Sequence, residues 1–449
     1  MTMTKSTASA GPQPGVWTAR SRFGLGVLLA MLLLSTNLQI HTLLIEPIRA
    51  ELGLSDLQLG QLHGLTVAVF AALAAWPIGW LADRWDRRWV LALCVLVWSA
   101  AIYAGGLSRD FDGLLWAMVG LSIGEAALLP IIYALTPQVV PRERLPLANA
   151  LVYATIVLGS GLALVAGGAL YGWIESQRLA LPWAADAVPW RTLFLLTALL
   201  GPPVAVLLVW VRLRPPELAT TVALPSASHH RFGAYLREHG LSLVLVQMAL
   251  ATASLGWLQL MLWTPAILKR SFGSAVGGAG MDFGLAVTLS SAFGTAAGYA
   301  WVRWRVGSDN PVGNYRLVHQ GTLLALPLVV ATAFAPNATV LLLLVGMAMT
   351  FLVIGVSQAP ALLQQMSPPA LLSRSIALFP LVALPLRGLQ APAVGAISDR
   401  FGPNSANGLL YAMVIVAALT MAVGVLMLWR LEGRYAALAA HARGDASKV

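Results

Sequence analysis

The sequence predicts an all-α polytopic membrane protein of twelve transmembrane helices, ordered as six plus six. Three observations predict it. Of 449 residues, 58% are hydrophobic and 10% charged, with a mean hydropathy of +0.76, whereas a soluble protein carries about 25% charge. Twelve apolar runs are long enough to cross a hydrocarbon core, which takes about 20 residues. The basic residues sort unevenly between alternate connections, 20 against 7 with only Arg387 left over, and basic loops collect on the cytoplasmic side. A soluble enzyme is excluded, and the net charge of +10 is explained by orientation in the lipid bilayer without a nucleic-acid partner.

Each run has its own boundaries. The first, 23–46, follows the polar segment Met1 to Arg22 and is too long for a signal-peptide core, so it reads as a retained helix. Runs 57–82, 89–107 and 112–138 are set off by charged turns. Run 147–172 contains Gly159, Gly161, Gly167 and Gly168, small residues that let helices approach closely or slide as a gate. Trp173, Trp183 and Trp190, between Gly172 and Arg191, predict an aromatic anchor at the outer interface. Run 191–212 ends at the largest polar gap, Arg212 to Gly240. Runs 241–268, 282–304, 317–335, 338–366, 374–398 and 406–430 complete the second half. The expected organisation is a tail 1–22, a bundle 23–212, a cytoplasmic linker 213–240, a bundle 241–430 and a tail 431–449, with both termini cytoplasmic. Cys94 is the single cysteine, so no intrachain disulfide and no cysteine-based metal cluster can form.

Between the second and third runs stands Gly79-Trp80-Leu81-Ala82-Asp83-Arg84-Trp85-Asp86-Arg87-Arg88. Gly79 allows close helix contact, Asp83 can cap a facing helix, and the arginines hold the turn at the cytoplasmic surface. On the arginines alone the segment is a basic loop; the Gly-x-x-x-Asp-Arg-x-x-Arg-Arg spacing is far more specific. It resembles the signature loop of the major facilitator superfamily. Glu46-Pro47-Ile48-Arg49-Ala50-Glu51-Leu52-Gly53-Leu54-Ser55-Asp56 leading into Gln58-Leu59-Gly60 is similar to the Spinster-type branch. Gly124-Glu125-Ala126 with Pro130, and Ser398-Asp399-Arg400-Phe401-Gly402, resemble that branch too. The resemblance implies two pseudo-symmetric six-helix bundles, the major facilitator fold, with a midplane cavity opened alternately to each side. It implies that Asp83 meets the start of the eleventh helix near Ser373 and Arg374 and locks the inner face. Departures accompany it. The family's acidic residue in the first helix falls at Asn37 and the following basic residue at Leu38, Asp86 replaces a glycine, and Val302 stands where the second half would repeat the aspartate.

An ionised side chain at bilayer depth costs about 2.5–3.5 kcal/mol even on the insertion scale, so each needs a reason. Glu125 and Arg387 both lie about 20 Å along their helices, near the midplane. Glu125 shares a face with Ser122, Tyr133 and Thr136. Arg387 has Gln390 one turn on, and Pro385, Gly388 and Pro392 predict a broken helix around it. The two charges either pair statically, or Arg387 receives an anionic group of the substrate while Glu125 exchanges a proton. The first helix offers Asn37 and His41 on one face and Ser35, Gln39, Thr42 and Glu46 on the other, one facing a cavity and one a neighbour. His41 and His63 at similar depth read either as packing residues or as a proton relay. Gln247, Trp257, Gln259 and Trp263, with Ser357, Gln358, Gln364 and Gln365, supply amides and apolar area in the second half; Gln259 and Gln358 are the better cavity candidates.

The sequence has no G-x-x-x-x-G-K-[S/T] loop to use ATP and no H-E-x-x-H or nucleophile elbow. Together with the resemblance, this implies a monomeric, multi-pass transporter of the bacterial inner membrane that moves a small anionic or amphipathic molecule without cofactor. A proton gradient is the energy source that fits. An uncoupled facilitator and a non-transporting receptor or scaffold stay open.

Overall fold

The computed structural model of the protein describes residues 39–126, 145–177, 188–210, 228–306, 311–368, 371–402 and 405–446, together with 29, 31, 32, 35, 36, 128, 131 and 132. Among them every regular element is helical. Helix α1 ends in the segment Ile45–Leu52. Helix α2 comprises Asp56–Gly60, a π-helical segment Gln61–Thr66 and Val67–Arg84. Then follow α3 (Arg87–Leu107), α4 (Phe111–Glu125) and α5 (Leu145–Gln177). Helix α6 has two parts, Pro189–Ala198 and Gly201–Trp210. The second half contains α7 (Ser228–Phe272), α8 (Val276–Trp301), α9 (Pro311–Ala331), α10 (Ala338–Val356 and Ala359–Gln365), α11 (Leu372–Arg400) and α12 (Gly408–Ala446). Among the described residues, nine helices are long and apolar enough to cross a membrane.

Local chemistry sets the ends. Gly53, at φ 62°, closes α1 in the left-handed conformation that costs glycine least. Ser55 and Gln58 form a capping box at the start of α2. Asp86 takes the place of the family's glycine and caps α3, accepting from the Arg88 N–H at 3.0 Å. The Arg88 guanidinium hydrogen-bonded to it holds the Asp86 carboxyl below the usual carboxylate range. Asp110 and Asn337 cap α4 and α10 through Gly113 N and Val340 N, at 2.8 and 2.9 Å.

Several boundaries differ from those expected. Helix α1 continues to Leu52, with a local break at Leu44, because Pro47 lacks the N–H that would bond to the Leu43 carbonyl. Helix α7 begins at Ser228, within the segment expected as linker, and α12 runs to Ala446, well past 430. Charges end a lipid-facing stretch without ending a helix, and here they find partners: Arg316 contacts Glu432 at 2.6 Å. Tyr315 and Tyr435 stack at 4.6 Å, and the Tyr235 hydroxyl donates to the Met366 carbonyl at 2.7 Å. The expected break in α11 is absent: Leu372–Arg400 is one helix containing Pro380, Pro385 and Pro392. Prolines are tolerated in a membrane helix where a neighbour covers the freed carbonyls. Gly388, which loses its donor to Pro392, has Gly64 of α2 against its carbonyl oxygen. Trp190 is buried, so only Trp173 of the two described tryptophans in that connection is exposed as an interfacial anchor would be.

The two halves meet at the end carrying Asp56, Arg270 and Ser398, which the basic-residue sorting assigns to the outside and which is called the outer end. A Cβ on Gly395 of α11 would stand 2.1 Å from the Asp56 carbonyl oxygen of α2. One on Gly60 would stand 2.4 Å from that of Ala391, and one on Gly64 2.9 Å from that of Gly388. Further along α2 the contact is gone: a Cβ on Gly79 meets nothing within 4 Å. Gly79 therefore makes no close contact in this conformation, contrary to expectation. Helices α5 and α8 close the same end, with Gly168 of α5 as tight against Gly277, at 2.6 Å for an added Cβ.

Candidate functional site

Between the halves lies a cavity of about 300 Å³. Gln39, His41 and Thr42 of α1 line it together with His63 of α2, Glu125 of α4 and Ser160 of α5. Trp257 of α7 and Arg387 and Gln390 of α11 complete its polar wall. Residues of both predicted faces of α1 thus reach the cavity, His41 from one and Gln39 and Thr42 from the other. Sequence reasoning placed Glu125 and Arg387 at one depth, and the fold brings them to one space.

The two charges are not joined. Glu125 Oε1 is buried without a hydrogen-bond partner, and Arg387 is exposed. The Oε1 of Gln390 is likewise buried and unpartnered. A buried, unpartnered carboxylate oxygen and amide oxygen beside an exposed guanidinium are costly unless something enters to meet them. The arrangement can bind an anion at Arg387 and move a proton at Glu125.

Other candidates stand elsewhere. Gln259 lies behind the wall, its Nε2 donating to the Gln390 carbonyl at 3.1 Å. Gln358 is at the junction within α10, bonded to Ser357 Oγ at 3.0 Å, away from the cavity. Ser122 donates to the Met118 carbonyl of its own helix at 2.7 Å and is fully buried. Asn37, Tyr133 and the Asp83 side chain lie outside the described residues. In the gating motif, Arg84 stacks on Trp80 at 3.9 Å and Arg374 stands 5.9 Å over Phe232. Arg87 and Arg88 begin α3.

The outer end is closed by a charge network that sequence reasoning did not assemble. Arg270 of α7 contacts Glu46 and Asp56, each at 2.7 Å. Arg49 stands 3.2 Å from Asp56, and Ser398 of α11 donates to Asp56 at 2.6 Å. Asp399 accepts from the backbone N–H groups of Asp56 and Leu57, both at 2.9 Å, so the end of α11 caps the start of α2. Behind this network Arg191 bonds Glu51 at 2.9 Å, and Trp190 donates to the same carboxylate. The available signal was the presence of opposite charges at the outer ends of runs from both halves; Arg270 counted only as an outer basic residue.

The family model of the Major Facilitator Superfamily matches residues 27–383. The chain belongs to the major facilitator superfamily. It is an integral, multi-pass membrane transporter of that superfamily, and not an enzyme. It is 24% identical over 400 residues to an MFS-type efflux pump of Mycolicibacterium smegmatis, covering 88% of this chain and 89% of that one. It is 27% identical over 166 residues to the cis,cis-muconate transport protein of Acinetobacter baylyi, 37% of each chain. In fold it is similar to a bacterial homologue of the human lysosomal transporter Spinster, solved in an inward-facing, unoccupied conformation. The TM-score is 0.73 at 22% identity, over 97% of this chain and 99% of that one. The stretch that resembles the Spinster branch, Glu46 to Gly60 with Ser398 and Asp399, is the stretch that builds the outer network.

Proposed function

We propose that this protein is a proton-coupled secondary transporter of a small organic anion, working by alternating access. The observation that carries the proposal is the unpaired Glu125 and Arg387 on one cavity wall, with the outer end closed by Arg270, Glu46 and Asp56. Arg387 receives the carboxylate of the substrate, a charge-assisted contact. Glu125 carries the proton, and it does so without a permanent ion pair to hold it ionised. The name of the muconate relative, a dicarboxylate carrier, supports the same chemistry. Trp257 and the methionine and leucine side chains around it accept the apolar body of the substrate. The protein functions as a monomer with both termini on the cytoplasmic side of a bacterial inner membrane, and no cofactor takes part.

The test is uptake of muconate and related carboxylates into proteoliposomes under an imposed pH gradient. Wild type should concentrate the substrate. Glu125→Gln should retain counterflow and lose pH-driven accumulation. Arg387→Gln should weaken substrate affinity about 10- to 100-fold, the equivalent of one charge-assisted hydrogen bond. Accumulation that stays concentrative and pH-dependent in Glu125→Gln would overturn the coupling role. The uncharged Asn37, at the family's acidic position, favours an uncoupled facilitator as the second reading. Wild-type counterflow without accumulation would establish it, and no transport of any carboxylate would leave a receptor or scaffold.

A further inference from the structure

The outer half of α2 departs from α-helical winding over Gln61–Thr66, a π-helical segment. Such insertions recur at functional sites because the extra residue turns side chains out of the helical register. This one contains His63, which lines the cavity. His41 of α1 faces it, with ring centroids 6.0 Å apart at 66°. His41 is 6% exposed, and its Nε2 is buried without a hydrogen-bond partner. Phe194 of α6 packs on the same ring at 4.7 Å. Gly64, next to His63, is pressed against Pro392 and the Gly388 carbonyl of α11. The charged groups that share the cavity with the pair are Glu125 of α4 and Arg387 of α11; α1, α5 and α7 present Gln39, Thr42, Ser160 and Trp257. Five residues further out, Glu46 is engaged by Arg270.

We propose that His41 and His63 form a proton-binding imidazole pair at the closed outer end of the cavity, a second site distinct from Glu125, supplied by α1 and α2 where α1 carries Asn37 in place of an acid. The proposal rests on the cavity being the transport site. The step is protonation alone: one proton adds to a ring nitrogen and no other bond changes. Two imidazoles this close, under aromatic cover, repel each other when both are charged, so the pair takes up a first proton and resists a second. That charge sits beside the Gly64–Gly388 seam that opens when the outer end opens. The pair therefore loads from the outside and unloads into the inward cavity.

Replacing His229, His230, His239, His319 and His441 leaves only His41 and His63 in the full-length protein. Histidine 15N spectra of that variant, titrated from pH 8 down to 3, should show both rings responding to one shared proton. Proton-to-substrate stoichiometry in proteoliposomes should fall by one in the His41→Gln/His63→Gln double variant, which leaves no imidazole at the site. Ring signals unchanged across that range, or a wild-type stoichiometry in the double variant, would overturn the proposal. Failure of the transport reading itself would appear separately, as absent carboxylate binding in wild type.

Discussion

Arg270 holds two carboxylates from the opposite half of the molecule, and this makes it the residue on which outer closure depends most. Its removal leaves, among the described residues, Arg49 as the cation between Glu46 and Asp56, with Ser398 still donating to Asp56. Breaking a buried ion pair by deleting one partner costs about 3–5 kcal/mol, and here the deficit falls only on the outer-closed state. Arg270→Gln should therefore populate outward-open molecules. The chain's one cysteine is Cys94, so a Cys94→Ser background with Thr42→Cys reports on the cavity. An impermeant thiol reagent applied from outside should label Thr42→Cys at least about tenfold faster once Arg270 is replaced; an unchanged rate would mean that the network does not hold the gate. At this scale the sequence identified Glu125 and Arg387 because a charge inside an apolar run is conspicuous. It could not join Arg270, Asp56 and Asp399: the two aspartates stand out only within the stretches that carry the resemblance, and Arg270 looks like an ordinary interfacial charge until the fold brings them together.

At the scale of elements, the glycines separate packing from opening. A Cβ on Gly161 would stand 2.2 Å from Thr288 Oγ1 of α8 and one on Gly168 2.6 Å from a backbone oxygen, whereas Gly159 and Gly167 meet Ser35 and Ile40 of α1. One glycine-rich helix thus serves two contacts, one with its own half and one with the other. Gly168→Leu should drive α5 from α8, lowering the melting temperature and raising outside accessibility of the cavity. Gly79→Ala should leave stability unchanged or raise it by up to about 1 kcal/mol, the helix preference of alanine over glycine, since open space receives the methyl group. A comparable loss of stability in both variants would contradict the asymmetry between the outer and inner ends. Among the described residues the runs themselves were legible from hydropathy to within several residues. The extensions of α7 and α12 were not, because their residues are polar enough to read as loop and become helical through contacts such as Tyr315 with Tyr435 and Tyr235 with Met366.

For the molecule as a whole, the seams α2/α11, α5/α8 and α1/α7 close one end together, and the proposed alternating access requires them to part. Asp56→Cys with Arg270→Cys, bridged by a short bifunctional thiol reagent in the Cys94→Ser background, should halt transport and release it on cleavage of the bridge. Transport that continues with the bridge in place would exclude alternating access through this end. By itself the sequence determined the membrane-spanning all-α class, the order of the helices and the superfamily, since hydropathy and loop charge are local quantities that bilayer thickness and the backbone's need for internal hydrogen bonds convert directly into structure. Only the tertiary structure decided that Glu125 and Arg387 share a cavity without pairing, that Gln259 and Gln358 do not line it, that His63 does, and that the Glu46–Asp56 stretch joins Arg270 and Asp399 in one network. Those relations depend on which helix faces cross over hundreds of residues of separation, and no local property of the chain records that.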